Sequence, residues 1–112
     1  MVAPTKHERI GPAAFLSVWE NLGVVAGEPV DTANTVERTV QVGGLFDGNL
    51  VQIEGSVDGQ AYHLLTSQEG LVVSFTKPGQ SSIRELVRYL RPRVTGTGAK
   101  ASITVSLLVR GR

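Results

Sequence analysis

The chain has 112 residues, with 11 basic against 10 acidic side chains, no cysteine, 13 glycines and only 5% aromatic residues. This length allows one domain with a single core. The absence of cysteine excludes a disulfide framework and a thiolate metal site. No apolar run reaches the ~18 residues that a transmembrane helix needs, and the N-terminus lacks a signal-type apolar segment. We therefore expect no membrane contact and synthesis in a cytoplasm.

The charge is unevenly distributed along the chain. Residues 1–76 contain three basic and nine acidic side chains, whereas residues 77–112 contain eight basic and one acidic. This division predicts surfaces of opposite sign that could meet in neighbouring copies or meet an acidic partner. Solvated faces with local ion pairs explain the pattern equally well.

Residues 1–14 are predicted to form an extended N-terminal arm, followed by a single domain over residues 15–112. Pro4 and Pro12 disfavour helix in the arm, and its apolar residues show no periodicity. Lys6 and Arg9 supply its positive charge and are candidate interface residues. We expect that deleting residues 1–12 leaves the fold intact. Residues 15–22 (FLSVWENL) are predicted to be the first strand, with Trp19 buried in the core.

The middle of the chain contains short alternating segments separated by turns. Residues 36–42 place Val40 and Val42 inward, and residues 50–57 place Val51, Ile53 and Val57 inward. Gly43-Gly44 is expected to end the earlier strand. Asp47-Gly48-Asn49 and Asp58-Gly59 predict turns, the latter a type I′ hairpin turn. Residues 62–66 and 71–76 are predicted strands, residues 77–82 a loop, and residues 83–87 a helical turn or the approach to the next strand.

Two longer alternating runs end the chain. Leu90, Pro92 and Val94 share one face of the first run, and residues 101–109 alternate in the same way. The glycines of Thr95-Gly96-Thr97-Gly98 can reverse the chain, so we predict that the two runs form an antiparallel hairpin. Pro92 cannot donate to a ladder and therefore indicates an edge or a bulge.

The outward side of the first run is basic. Arg91 and Arg93 lie there with Tyr89, and Arg88 is close by. A nucleic-acid site is not expected, because the chain is nearly neutral and offers little aromatic stacking surface. We predict instead that these arginines pair with carboxylates of another protein subunit.

About seven or eight strands, with turns every ~8–12 residues, predict an all-β fold, an antiparallel β-sandwich. Catalysis is not expected, since His7 and His63 lie in the arm and beside a hairpin and no nucleophile elbow is present. Gly96 to Ser102 departs from a phosphate-binding loop in spacing and precedes a strand rather than a helix. Asp47, Asn49 and Asp58 are better explained as turn residues than as calcium ligands. We expect no metal and no cofactor.

Three motifs resemble a known pattern: VQIEGSVDG at residues 51–59 with the following YHLL, VRYLRPRVT at residues 87–95, and ITVSLLVR at residues 103–110. They are similar to motifs of small virion proteins in tailed-phage genomes, and their order is also similar to that of discoidin-like, galactose-binding jelly rolls. The resemblance covers about residues 36–110. It implies a jelly-roll-like sandwich in which these segments are core strands and Tyr62 or His63 fills an aromatic position.

The resemblance further implies a capsid cement, or decoration, protein on the outer surface of a phage head. Such a protein is expected to be a dimer or trimer and to bridge subunits of the major capsid protein. A tail or head-completion protein of a phage remains an alternative, as does a carbohydrate-binding module that uses Tyr62 and His63. A carbohydrate-binding surface usually needs exposed aromatic rings, and this chain has few aromatic residues.

Overall fold

The computed structural model describes residues 1–111, and these residues contain ten strands and no helix. Most strands coincide with segments of alternating apolar and polar residues, because one face of each strand lies against the core. The strands are β1 (Lys6–Gly11), β2 (Ala14–Leu22), β3 (Val30–Asp31), β4 (Glu37–Leu45), β5 (Leu50–Ser56), β6 (His63–Leu64), β7 (Ser74–Phe75), β8 (Gly79–Ser82), β9 (Tyr89–Thr95) and β10 (Ser102–Arg110).

The strands form two antiparallel sheets. The first sheet has the order β1-β2-β10-β4-β8, and the second has the order β3-β9-β5-β6, with β7 also paired to β5. The inward side chains of both sheets form one core together with residues from the connections between strands. The strands supply Trp19, Leu22, Val30, Val40, Val42, Val51, Ile53, Leu90, Val94, Ile103, Val105, Leu107 and Val109, and the connections supply Phe46, Leu65, Val73 and Ile83. The predicted all-β antiparallel sandwich and the burial of Trp19 are confirmed.

The predicted hairpin between the last two long strands is wrong. Strand β9 pairs with β3 and β5 in the second sheet, whereas β10 pairs with β2 and β4 in the first. Residues 96–101 therefore cross from one sheet to the other. The side-chain amide of Asn49 holds this crossing through two hydrogen bonds with Gly98: its Nδ2 donates to the carbonyl at 2.8 Å and its Oδ1 accepts from the N–H at 3.0 Å.

Pro92 lies inside β9, and its backbone faces away from β5, where no regular strand runs beside it. Its carbonyl accepts the N–H of Gly27, and Ala26 forms an isolated bridge with Arg93. The proline nitrogen, which cannot donate, therefore breaks no continuous ladder. The neighbouring strand on that side, β3, pairs only with Tyr89 and Leu90.

The N-terminal segment is extended but belongs to the sandwich. Strand β1 pairs with β2 in the first sheet, and Val2 bonds through its backbone to Ala26 and Glu28 beside the second sheet. Val2 also packs against the core. Residues 1–11 thus connect both sheets along one side, and the expected boundary at residue 14 falls within the β1–β2 hairpin.

Several smaller expectations differ from the structure. The predicted strands over residues 62–66 and 71–76 are reduced to the two-residue strands β6 and β7. Residues 79–82 form strand β8 instead of a loop, and β4 continues through Gly43-Gly44 to Leu45. Val57 is 74% exposed because β5 ends at Ser56. The turn with positive φ at two successive residues is at Asp47-Gly48, whereas at Asp58-Gly59 only the glycine has positive φ. The longer loop of residues 57–62 then leads to β6.

Candidate protein-interaction surface

The outer face of the second sheet carries the predicted basic residues of β9. Tyr89, Arg91 and Arg93 point outward because they alternate with buried residues in this strand. Arg88 lies just before the strand. We call this surface the arginine face and define it by Arg88, Tyr89, Arg91, Arg93 and the outward Glu54 of β5, which lies opposite Arg91 in the sheet register.

Glu54 is the carboxylate shared by two arginines of this face. Its Oε1 lies 3.0 Å from Nε of Arg91 and 3.9 Å from Nη1 of Arg93. The side chains of Glu54 and Arg91 are only 12% and 16% exposed, whereas that of Arg93 is 47% exposed. The close pair is therefore part of the sheet surface, and Arg93 presents the more accessible positive charge.

Arg91 is held on a second side by an aromatic ring. Its guanidinium carbon lies 3.8 Å from the centroid of Tyr62, within the range of a cation–π contact. Its Nη1 also lies 3.8 Å from Sδ of Met1. One face of the Tyr62 ring is thus covered, which leaves that face unavailable for stacking on a sugar. His63 is exposed in β6 beside Gly55.

Arg88 pairs with the short strand β3. Its Nη2 lies 3.2 Å from Oδ2 of Asp31, and its guanidinium carbon lies 5.1 Å from the Tyr89 ring centroid. The hydrogen bond and charge of Asp31 raise the pKa of Arg88. The N–H of Ala33 contributes most to lowering the pKa of Asp31; burial opposes this shift, and the hydrogen bond and charge of Arg88 lower the pKa further. Both groups are ionised at neutral pH.

The loop of residues 57–62 supports this face from one end. Oδ1 of Asp58 accepts hydrogen bonds from Oγ of Ser56 and from the N–H groups of Gln60 and Ala61. The N–H of Gln60 contributes most to lowering the pKa of Asp58. Gly59, with φ of 79°, lies against the Tyr89 ring. The SVDG motif therefore has a structural role in this chain.

Lys6 and Arg9 do not belong to the arginine face, because β1 is the edge strand of the other sheet. Lys6 lies 3.9 Å from Glu8, and Arg9 donates to the carbonyls of Gly11 and Pro12 in its own hairpin. Arg9 also lines a surface depression of about 470 Å³, together with His7, Phe15 and Asn34. This depression lies between the β1–β2 hairpin and residues 31–35, and its lining includes Asp31, the partner of Arg88.

Neither the acidic partners of the arginines nor the burial of Arg38 was predicted from the sequence. Glu54 shares the outward parity of Gln52 in β5, so it could have been placed opposite the arginines if the β5–β9 pairing had been known. Arg38 has the parity of Val40 and Val42, and it lies inward with them at 4% exposure. That parity was the available signal for its burial.

Within residues 1–111 no group of three or more His, Cys, Asp or Glu side chains is arranged to hold a metal ion. In the same part of the chain, no helix is long and apolar enough to cross a membrane.

No protein-family model matches this chain, and no curated protein matches it in sequence. Its two-sheet sandwich is similar to the crystal structure of the SPBc2 prophage-derived protein YomS, with a TM-score of 0.61 and 12% identity over 91% of this chain and 98% of that chain. Weaker matches are the Cnp3 cupin domain of Schizosaccharomyces pombe (TM-score 0.45, 9% identity, 94% and 57% covered) and the K1 cleaved adhesin domain of Lys-gingipain from Porphyromonas gingivalis (0.36, 10%, 88% and 75%). The likeness to YomS shows a shared fold over nearly the full length of both chains.

Proposed function

We propose that this chain is a structural protein of a phage virion, a capsid decoration protein that binds and bridges major capsid protein subunits on the outside of the head. The observation that carries the proposal is the fold shared with a prophage-derived protein along almost the whole of both chains. The resemblance of its strand motifs to those of small tailed-phage virion proteins supports the same role.

The arginine face is the surface that we assign to the capsid. The three arginines of this surface pair with only two carboxylates, Glu54 and Asp31, so the surface retains a positive charge centred on Arg93. Arg91 is already fixed by Glu54 and Tyr62, which lowers the side-chain entropy lost on docking. An acidic surface on the capsid subunit would complement this face. If linked copies bind neighbouring capsid subunits, individually weak contacts give firm attachment, because the second contact is intramolecular once the first has formed.

The role is tested by locating the protein in particles. Phage particles produced from the genome that encodes this chain are purified, heads are separated from tails, and each fraction is quantified by mass spectrometry. We expect the chain in the head fraction, in a copy number comparable with that of the major capsid protein. Absence from particles would contradict a virion role, and presence in tails alone would assign the protein to the tail.

The docking surface is tested by reversing one charge. Arg93→Glu is expected to weaken binding of the purified chain to heads that lack it by about tenfold, the equivalent of ~1.4 kcal/mol. The substitution leaves the Arg91–Glu54 pair in place. Arg110→Glu is the matched control, because Arg110 lies on the first sheet and pairs with Glu37 at its surface. Equal loss of binding in both variants, or in neither, would exclude the arginine face as the contact.

A further inference from the structure

The outer edge of the first sheet is open at β1. This strand is at one end of the order β1-β2-β10-β4-β8, and among residues 1–111 no strand pairs with the side of β1 that faces away from β2. All of its side chains are exposed up to Ile10, and a register shift between Arg9 and Gly11 ends the regular part. Such an edge presents unpaired N–H and C=O groups that can extend a sheet.

We propose that β1 pairs antiparallel with β1 of a second copy of this chain. The two-fold axis lies midway between the two His7 residues, which are opposite each other. The two first sheets then form one continuous sheet of ten strands. The interface is isologous, so each contact occurs twice. This assembly does not depend on a role in the virion.

The symmetry restricts the register to a few possibilities. A two-fold axis that joins two antiparallel edges stands perpendicular to the sheet and keeps the same face outward in both copies. Residues that lie opposite each other must therefore point to the same face. The axis must then lie between two copies of one residue, which is opposite itself, rather than between two successive residues. The candidate centres in β1 are Lys6, His7, Glu8 and Arg9.

Charge selects one of these registers. With the axis at His7, Lys6 of each copy lies opposite Glu8 of the other, which gives two attractive cross-strand pairs. An axis at Glu8 places the two Glu8 carboxylates opposite each other, an axis at Lys6 does so for the ammonium groups, and an axis at Arg9 does so for the guanidinium groups. Like charges directly opposite each other are destabilising. Pairing through His7 is thus the only one of the four with complementary charges.

The charges on β1 also prevent other pairings. Charged residues on an edge strand discourage indiscriminate association. Because only one register of β1 has complementary charges, repulsion in the other registers makes the pairing specific. The contact between Lys6 and Glu8 within one copy is long, at 3.9 Å, and both side chains are about half exposed. Such a pair contributes little to the stability of the monomer, so exchanging it for pairs between copies costs little.

Charge reversal tests the register directly. We expect sedimentation velocity of the full chain, over a concentration series at low ionic strength, to show a concentration-dependent dimer. Lys6→Glu and Glu8→Lys should each raise the dimer dissociation constant at least about tenfold, since both pairs become repulsive. The double variant K6E/E8K should dimerise like the wild type. An equimolar mixture of the two single variants should form heterodimers, because both of its pairs are then attractive.

Two substitutions elsewhere control for net charge. Glu20→Lys and Lys77→Glu change the charge by the same amounts at exposed positions outside β1, and both should leave dimerisation unchanged. Circular dichroism and thermal melting confirm that each variant is folded. A wild type that stays monomeric at the highest concentration would overturn the proposal. A dimer that is insensitive to the β1 reversals would also overturn it, since the contact would then lie elsewhere.

Discussion

Arg38 is a buried cation whose guanidinium donates hydrogen bonds to two backbone carbonyls and a hydroxyl. Its Nη1 donates to the carbonyl of Glu85 at 2.7 Å, its Nη2 to that of Thr32 at 3.1 Å, and its Nε to Oγ1 of Thr35 at 3.2 Å. Burial lowers the pKa of the guanidinium, yet an arginine remains charged in proteins. The side chain thereby joins the β3–β4 connection to residues 83–87.

Removing this guanidinium should destabilise the fold. We expect Arg38→Ala to lower the free energy of unfolding by about 2–4 kcal/mol, because it leaves a cavity and buried carbonyls without their donor. Urea denaturation measures the change. Arg110→Ala, at an exposed position of the neighbouring strand, should change the same quantity by less than about 0.5 kcal/mol. Similar losses in the two variants would contradict the structural role of Arg38.

Glu85 makes stability depend on pH in the acid range. Burial opposes its ionisation, but hydrogen bonds from the hydroxyl and N–H of Thr66, together with the N–H of Glu85 and the charge of Arg84, hold the pKa of Glu85 below its usual value. A carboxyl with a lowered folded pKa contributes stability above its unfolded pKa and loses that contribution as pH falls through the folded value. We expect the urea midpoint to fall between roughly pH 5 and pH 3.

Glu85→Gln removes this titration. The variant should be less stable than the wild type at neutral pH and should show a shallower decline of the urea midpoint on acidification. Part of the decline should remain, because the pKa values of Asp31 and Asp58 are also lowered. Parallel pH profiles of wild type and variant would show that Glu85 does not titrate as described.

At the scale of elements, the crossing between β9 and β10 depends on a close backbone approach. A Cβ on Gly98 would collide with the carbonyl of Asp47, whereas a Cβ on Gly43 would meet nothing within 4 Å. We expect Gly98→Ala to lower the free energy of unfolding by about 1–3 kcal/mol and Gly43→Ala to be nearly neutral. Thermal unfolding of both variants tests this, and a tolerated Gly98→Ala would mean that the crossing is looser than described.

Alternation predicted strands well but did not identify their partners. The inward rows of β9 and β10 were correct, because burial of one face fixes which residues are apolar. The pairing was wrong because a glycine-rich connection of six residues fits a hairpin and a crossing between sheets equally well in sequence. Strand β8 was missed since Gly79, Gln80, Ser81 and Ser82 carry no apolar alternation. Its place is set by backbone pairing to β4.

The N-terminal strand changes the expected outcome of truncation. Deleting residues 1–12 removes β1 and the packing of Val2, and it leaves the side of β2 that pairs with β1 without a partner. We now expect the deletion to lower the melting temperature and to promote aggregation through the exposed edge of β2. Calorimetry and light scattering measure these effects. A truncated chain that melts like the wild type would support an independent arm.

Across the whole molecule, the acidic and basic parts of the sequence pair with each other. Arg88 with Asp31, Arg91 with Glu54 and Arg110 with Glu37 each join residues 77–112 to residues 1–76. Strand pairing therefore balances part of the uneven charge along the chain in space. The basic row itself could be predicted from alternation in β9, but its acidic partners depend on contacts distant in sequence. This balance concentrates the remaining accessible charge of the face on Arg93.

We propose that the sandwich binds the phage head through the arginine face. A cryo-electron microscopy reconstruction of mature heads, compared with heads from a deletion strain, tests it most directly. We expect added density on the outer surface that fits the two-sheet sandwich, with β9 toward the major capsid protein and Arg93 at the contact. Heads that are identical with and without the chain, or density in which β9 faces solvent, would exclude binding through the arginine face.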